Sequence, residues 1–144
     1  MASVLALGAM IAAPMAARAQ DAARVYDNGP VWEISSVQTK PGHFDDYMKF
    51  LSTTWRAEQE DAKRRGLVLD YKILTAQDAR DNAPDLYLMV EYRNMAALDE
   101  PLDARDASAK RLFGSMSGAA SADLQRESIR TLRGAILTRE LILK

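Results

Sequence analysis

The chain of 144 residues carries 19 Lys and Arg against 20 Asp and Glu, is 48% hydrophobic, and holds seven Gly and five Pro, the make-up of one ordinary globular domain. Its near-neutral charge argues against a basic nucleic-acid surface. Zero Cys removes disulfides, thiolate metal sites and cysteine nucleophiles, and a single His removes any multi-histidine metal site, so the residues call for no metal and no cofactor.

Residues 1–19 read as an export signal. Met1 to Ala17 carry no charge, residues 4–13 form an apolar run, and Ala17-Arg18-Ala19 places small residues where a signal peptidase cuts, leaving Gln20 first. The run is shorter than the roughly 20 apolar residues that span a bilayer, and Pro14 interrupts it. A periplasmic or secreted protein with no membrane span after cleavage is therefore expected. Residues 20–30 form a polar lead-in ending in Asp27-Asn28-Gly29-Pro30, and residues 31–144 form one domain.

The domain opens with a strand over residues 31–39, with Trp32 and Ile34 on one face and Val31, Glu33, Ser35 and Val37 on the other, stopped by Pro41-Gly42. Residues 43–65 predict a helix. Phe44, Tyr47, Met48, Leu51, Trp55 and Ala62 share one stripe, Asp45 and Asp46 lie in the first turn, Lys63 to Arg65 in the last, and Gly66 supplies a left-handed exit. Glu60 with Arg64 and Asp61 with Arg65 form acid-before-base pairs, each worth a few tenths of a kcal/mol. A second strand follows over residues 67–75, with Leu69, Tyr71 and Ile73 opposed to Asp70 and Lys72. The third, over residues 86–92, alternates Leu86, Leu88, Val90 and Tyr92 with Tyr87, Met89 and Glu91, and its first set is the better match for the helix. Beyond Asn94, a candidate N-cap, two short helices are predicted over residues 102–113 and 122–133. Ser121 caps the second and Gly134 stops it, residues 114–120 form a flexible loop, and residues 135–143 are the last strand.

Strand, helix, strand, strand, helices, strand is the order of a ferredoxin-like split βαβ sandwich of class α+β, in which helices cover one face of a four-stranded antiparallel sheet. Every strand keeps apolar side chains on both parities, so the second face needs cover, and a second copy of the chain supplies it across a two-fold interface.

The residues resemble the dimeric α+β barrel superfamily. The likeness lies in Val31-Trp32-Glu33-Ile34, in Lys40-Pro41-Gly42-His43-Phe44-Asp45-Asp46-Tyr47, and in Glu91-Tyr92-Arg93-Asn94. It is similar to the strand, Pro-Gly and amphipathic-helix opening of NIPSNAP-like, antibiotic-biosynthesis-monooxygenase-like and EthD-like members. Such a resemblance implies the fold and a homodimer. It selects no reaction, since the superfamily includes cofactor-free monooxygenases, haem-degrading enzymes and isomerases. Trp32, Trp55 and His43 do not follow the order of the Asn, Trp and His set of the haem-degrading branch.

Glu33, Glu91 and His43 are the candidate catalytic groups. The two glutamates have the parity opposite the better helix-packing residues, on neighbouring strands, so they are expected to share a lumen between sheet and partner. There they either divide acid and base work or form rim ion pairs with Lys72 or Arg139. His43 suits a general base or a haem ligand, although beside Pro-Gly at a helix start a solvated ring is the ordinary outcome. Glu58, inside the apolar stripe, either gains a raised pKa or reaches past Trp55 to water. Trp32, Ser35, Val37, Tyr87, Met89, Lys72 and Arg139 are expected to line the ligand chamber. Gly114-Ser115-Met116-Ser117-Gly118 has Met116 where a nucleophile elbow needs Ser, and the acidic runs lack the alternation of a calcium loop. Two functions remain: an exported homodimer binding a small, mainly apolar molecule, or a cofactor-independent monooxygenase or isomerase acting on a small aromatic or polyketide-like substrate.

Overall fold

The computed structural model describes residues 24–78 and 80–144. The expected signal, residues 1–19, lies outside them. Four strands, β1 (Tyr26–Thr39), β2 (Val68–Thr75), β3 (Leu86–Tyr92) and β4 (Arg130–Leu143), form one antiparallel sheet in the order β2-β3-β1-β4. Helices α1 (Phe44–Phe50), α2 (Arg56–Arg64), α3 (Leu102–Phe113) and α4 (Met116–Ile129) complete the ferredoxin-like α+β arrangement.

The long helix crosses the sheet as expected, but with a π-helical stretch, Leu51–Trp55, between α1 and α2. Its cause is local: the hydroxyls of Ser52 and Thr53 donate to the Lys49 carbonyl at 2.9 and 2.8 Å and so compete with the regular ladder. Tyr47, Leu51 and Trp55 descend from it onto Val37, Val68, Leu86, Leu88 and Val90. Trp55 meets Tyr71 edge-on at 5.3 Å. Burying each large apolar side chain contributes about 1.5–3 kcal/mol, so this cluster holds helix to sheet. Gly66 ends α2 at φ 75°, as its lack of a Cβ allows.

Several boundaries differ from expectation. The lead-in joins β1, because residues from Tyr26 pair with the end of β4. In β2 a register shift at Leu69 turns Val68 into the core and leaves Leu69 more than one-third exposed. Of residues 114–120, only Gly114 and Ser115 connect the helices and residues 116–120 open α4: Ser115, not Ser121, is the N-cap, its Oγ accepting from the Gly118 N–H at 2.9 Å. That helix stops at Ile129 instead of Arg133, since Arg130, Thr131 and Leu132 pair with Thr39, Gln38 and Val37. Edge pairing has overridden helix propensity there, and Gly134 lies inside β4 at a register shift. Among the described residues no helix is long and apolar enough to cross a membrane.

Candidate functional site

Register and alternation divide the expected site residues between the two sheet faces. Trp32, Lys72, Tyr87, Met89 and Glu91 lie on the face without helices, whereas Glu33, Ser35, Val37 and Arg139 lie on the helix side. Glu33 and Glu91 therefore share no lumen. Trp32 stands opposite Glu91 and Glu33 opposite Val90, and with a side-chain period of two this one-residue offset sends the carboxylates to opposite faces. Val37 is wholly buried in the core and cannot line a chamber. His43 hydrogen-bonds through Nδ1 to Asp46 Oδ2 at 2.9 Å with 43% of its side chain exposed, and it lines none of the recesses described below.

Glu33 meets Tyr92. The Tyr92 hydroxyl donates to Glu33 Oε2 at 3.1 Å. Burial first, then the Glu33 charge and this hydrogen bond, push the phenol well above its ordinary pKa, so it remains a donor across the neutral range. On one side of the pair, Glu33 lines a recess of about 240 Å³ with Leu98, Ala135, Ile136 and Leu137. On the other, Tyr92 lines a recess of about 330 Å³ under α2, α3 and the 3₁₀ turn Met95–Leu98, with Val68, Leu98, Leu112 and Phe113 among its apolar walls. Tyr92, through its bond to Glu33, and Leu98, which lines both, join the two.

Asp61 fixes the roof of the larger recess. Its carboxylate, 4% exposed, accepts from Ser108 Oγ at 2.8 Å and Arg111 Nη2 at 2.7 Å on α3, and from Arg64 Nη2 and Arg65 Nε, both at 2.9 Å. The Arg111 hydrogen bond, Ser108 and the flanking guanidiniums hold this acid well below the usual carboxylate range despite burial. Arg65 also pairs with Glu100. The expected Asp61–Arg65 pair thus forms as part of a buried knot, while Glu60 instead accepts from the Tyr71 hydroxyl at 2.6 Å. Glu58 lines the same recess, and burial pushes its carboxyl up against the opposing pull of Arg126.

The face without helices carries Trp32, Ile34, Leu74, Tyr87, Met89 and Ile136, with Ile136 60% exposed. Polar groups interrupt it: Lys72 Nζ lies 4.5 Å from the Trp32 ring centroid, and Trp32 Nε1 donates to Glu140 Oε2 at 3.3 Å. Among the described residues no group of three or more His, Asp or Glu is placed to hold a metal ion.

Sequence reasoning gave Tyr92, Leu98 and Asp61 no place in the site. A signal existed for the first, since a tyrosine on the core parity of a strand needs a partner for its hydroxyl. For Asp61 the signal reached only as far as Arg65, since Ser108 and Arg111 come from α3, 47 and 50 residues away.

No protein-family model matches the sequence, and no curated protein matches it. Solved structures do match. HapK from Hahella chejuensis is 11% identical with a TM-score of 0.52, over 76% of this chain and 91% of that one. A dimeric ferredoxin-like protein from an uncultured marine organism is 8% identical with a TM-score of 0.51, over 82% and 90%. A NIPSNAP family protein with unknown function from Agrobacterium tumefaciens is 14% identical with a TM-score of 0.45, over 81% and 90%. Identities this low show the fold alone, and the fold is the ferredoxin-like one expected from the order of elements.

Proposed function

We propose that this is an exported homodimer that binds a small, mainly apolar molecule on the helix side of each sheet, beside Glu33 and Tyr92. The observation that carries the reading is the Tyr92–Glu33 hydrogen bond set between two recesses that combine apolar walls with polar groups, fixed polar groups beside apolar walls being the usual form of a small-molecule site. The apolar face without helices supports self-association, and the marine protein of like fold is dimeric. Residues 4–13 with Ala17-Arg18-Ala19 support export.

The test is a fluorescence titration of the purified protein with the neutral probe N-phenyl-1-naphthylamine, alongside native mass spectrometry. The expected result is a dimer with one saturable site per chain, abolished by Leu98→Trp, which fills the residue common to both recesses. Absence of saturable binding, or binding untouched by Leu98→Trp, overturns the assignment. A second reading, a cofactor-independent monooxygenase or isomerase in which Glu33 takes a proton from substrate, draws on the same hydrogen bond. It requires turnover on an aromatic substrate panel that Glu33→Gln removes while probe binding persists.

A further inference from the structure

The larger recess is not uniformly apolar, and the way its charges are committed bears on what fits. Its polar lining consists of Glu58, Gln59, Arg65, Glu100, Arg105 and Ser108. Arg65 is taken by Asp61 and Glu100, which also occupies Glu100, and Ser108 donates to Asp61. Arg105, the one charged residue of α3 in the lining, forms no ion pair among the described residues. It remains exposed while it lines the recess, so its guanidinium can meet a group that stays near water. Glu58, the other charged lining residue outside these pairs, lies near Arg126 and Asp123 of α4, and burial pushes its carboxyl up against the pull of Arg126. Arg105 is thus the lining guanidinium left without an acid partner among the described residues. Below it, Tyr92, Leu98, Leu112 and Phe113 form apolar walls in a volume of about 330 Å³.

We infer that the recess under α2 and α3 selects an amphipathic molecule with one anionic group, its apolar body against Tyr92, Leu98, Leu112 and Phe113 and its anion on Arg105. A guanidinium offers forked donors to carboxylate or sulfonate, and at a partly desolvated mouth such a charge-assisted contact discriminates an anion from its neutral analogue. The inference rests on the binding function proposed above and deepens it by naming the ligand's chemistry.

Two probes of similar apolar body separate the two ideas: 1-anilinonaphthalene-8-sulfonate carries a sulfonate, and N-phenyl-1-naphthylamine lacks it. At pH 7 the full protein is expected to bind the sulfonate about tenfold more tightly, and Arg105→Gln is expected to remove that preference while leaving the neutral probe within about twofold. Arg105→Lys is expected to keep part of it, and because Arg105 is exposed, thermal stability should be unchanged in both variants. Equal affinity for the two probes in the wild-type protein, or a sulfonate preference that survives Arg105→Gln, overturns the inference and leaves binding of an apolar molecule standing. Failure of both probes to bind overturns both.

Discussion

Asp61→Asn removes one negative charge, 4% exposed, from a set of four donors while keeping its shape. Breaking a fully buried ion pair from one side costs about 3–5 kcal/mol. Here the orphaned partners are not fully buried: the side chains of Arg65, Arg111 and Arg64 are 29%, 52% and 66% exposed, so each can turn partly to water. The asparagine oxygen also retains one acceptor for Ser108 or an arginine. A loss of about 2–3 kcal/mol is the reasoned value, which for a domain of this size lowers Tm by about 6–15 °C. The pH dependence is sharper still. Because the folded state depresses the Asp61 pKa, its stabilisation is fully present above the unfolded value near 4 and disappears as pH falls toward the folded one. Denaturation of wild type and Asp61→Asn in parallel should show a constant gap from pH 5 to 8 that closes below about pH 4. As Asp61 holds α3 over the larger recess, the same variant should weaken naphthylamine binding severalfold. A gap under about 0.5 kcal/mol at pH 7, or one that widens in acid, refutes the account of Asp61 as a charged tie between α2 and α3.

Tyr92→Phe strands the Glu33 carboxylate beside an apolar ring and should cost about 1–2 kcal/mol in chemical denaturation. Folding raises the pKa of Tyr92, and of Tyr47 and Tyr71 in the same sense, so wild-type stability should hold below about pH 10 and decline above it, less steeply in Tyr92→Phe. Leu51→Ala, which empties a 1% exposed position between helix and sheet, should lower stability by about 2–5 kcal/mol, read from the midpoint of a urea transition. Mass analysis of the protein recovered from its host should show Gln20 as the first residue; retention of residues 1–19 would end the export proposal.

Where local pattern and tertiary contact agreed, the sequence was readable. The bounds of β3 and α3 follow from apolar alternation and from Pro101 and Gly114 at the helix ends, and the buried Tyr47, Leu51 and Trp55 follow from helical period. The faces of Glu33 and Glu91 were not readable, because each strand has apolar residues on both parities and only pairing settles the register: Val31 with Tyr92, hence Glu33 with Val90. The end of α4 was misread for a related reason. Residues 122–133 carry a serviceable helical pattern, yet the unpaired edge of β1 at Gln38 and Thr39 claims Thr131 and Arg130. The candidate site suffered most, since Asp61, Leu98 and Tyr92 acquire their roles only from elements distant in the chain.

Placing the recesses on one face and the uncovered apolar residues on the other makes binding and self-association separable. Ile34→Asp puts a charge opposite Met89 and Ile136 on the face without helices, away from Glu33 and Tyr92, so it should convert the proposed dimer to monomer and leave naphthylamine affinity within about twofold. Leu98→Trp should do the reverse, abolishing the probe signal at unchanged mass. Ile136 belongs to both regions, since it lines the smaller recess and pairs with Ile34, and β4, which carries it, is an edge strand of the sheet. Ile136→Asp is therefore the one substitution expected to disturb mass and affinity together. If Ile34→Asp itself lowered affinity in proportion to the monomer formed, the partner subunit would have to contribute to the recess, and the assignment of separate faces to the two activities would fail.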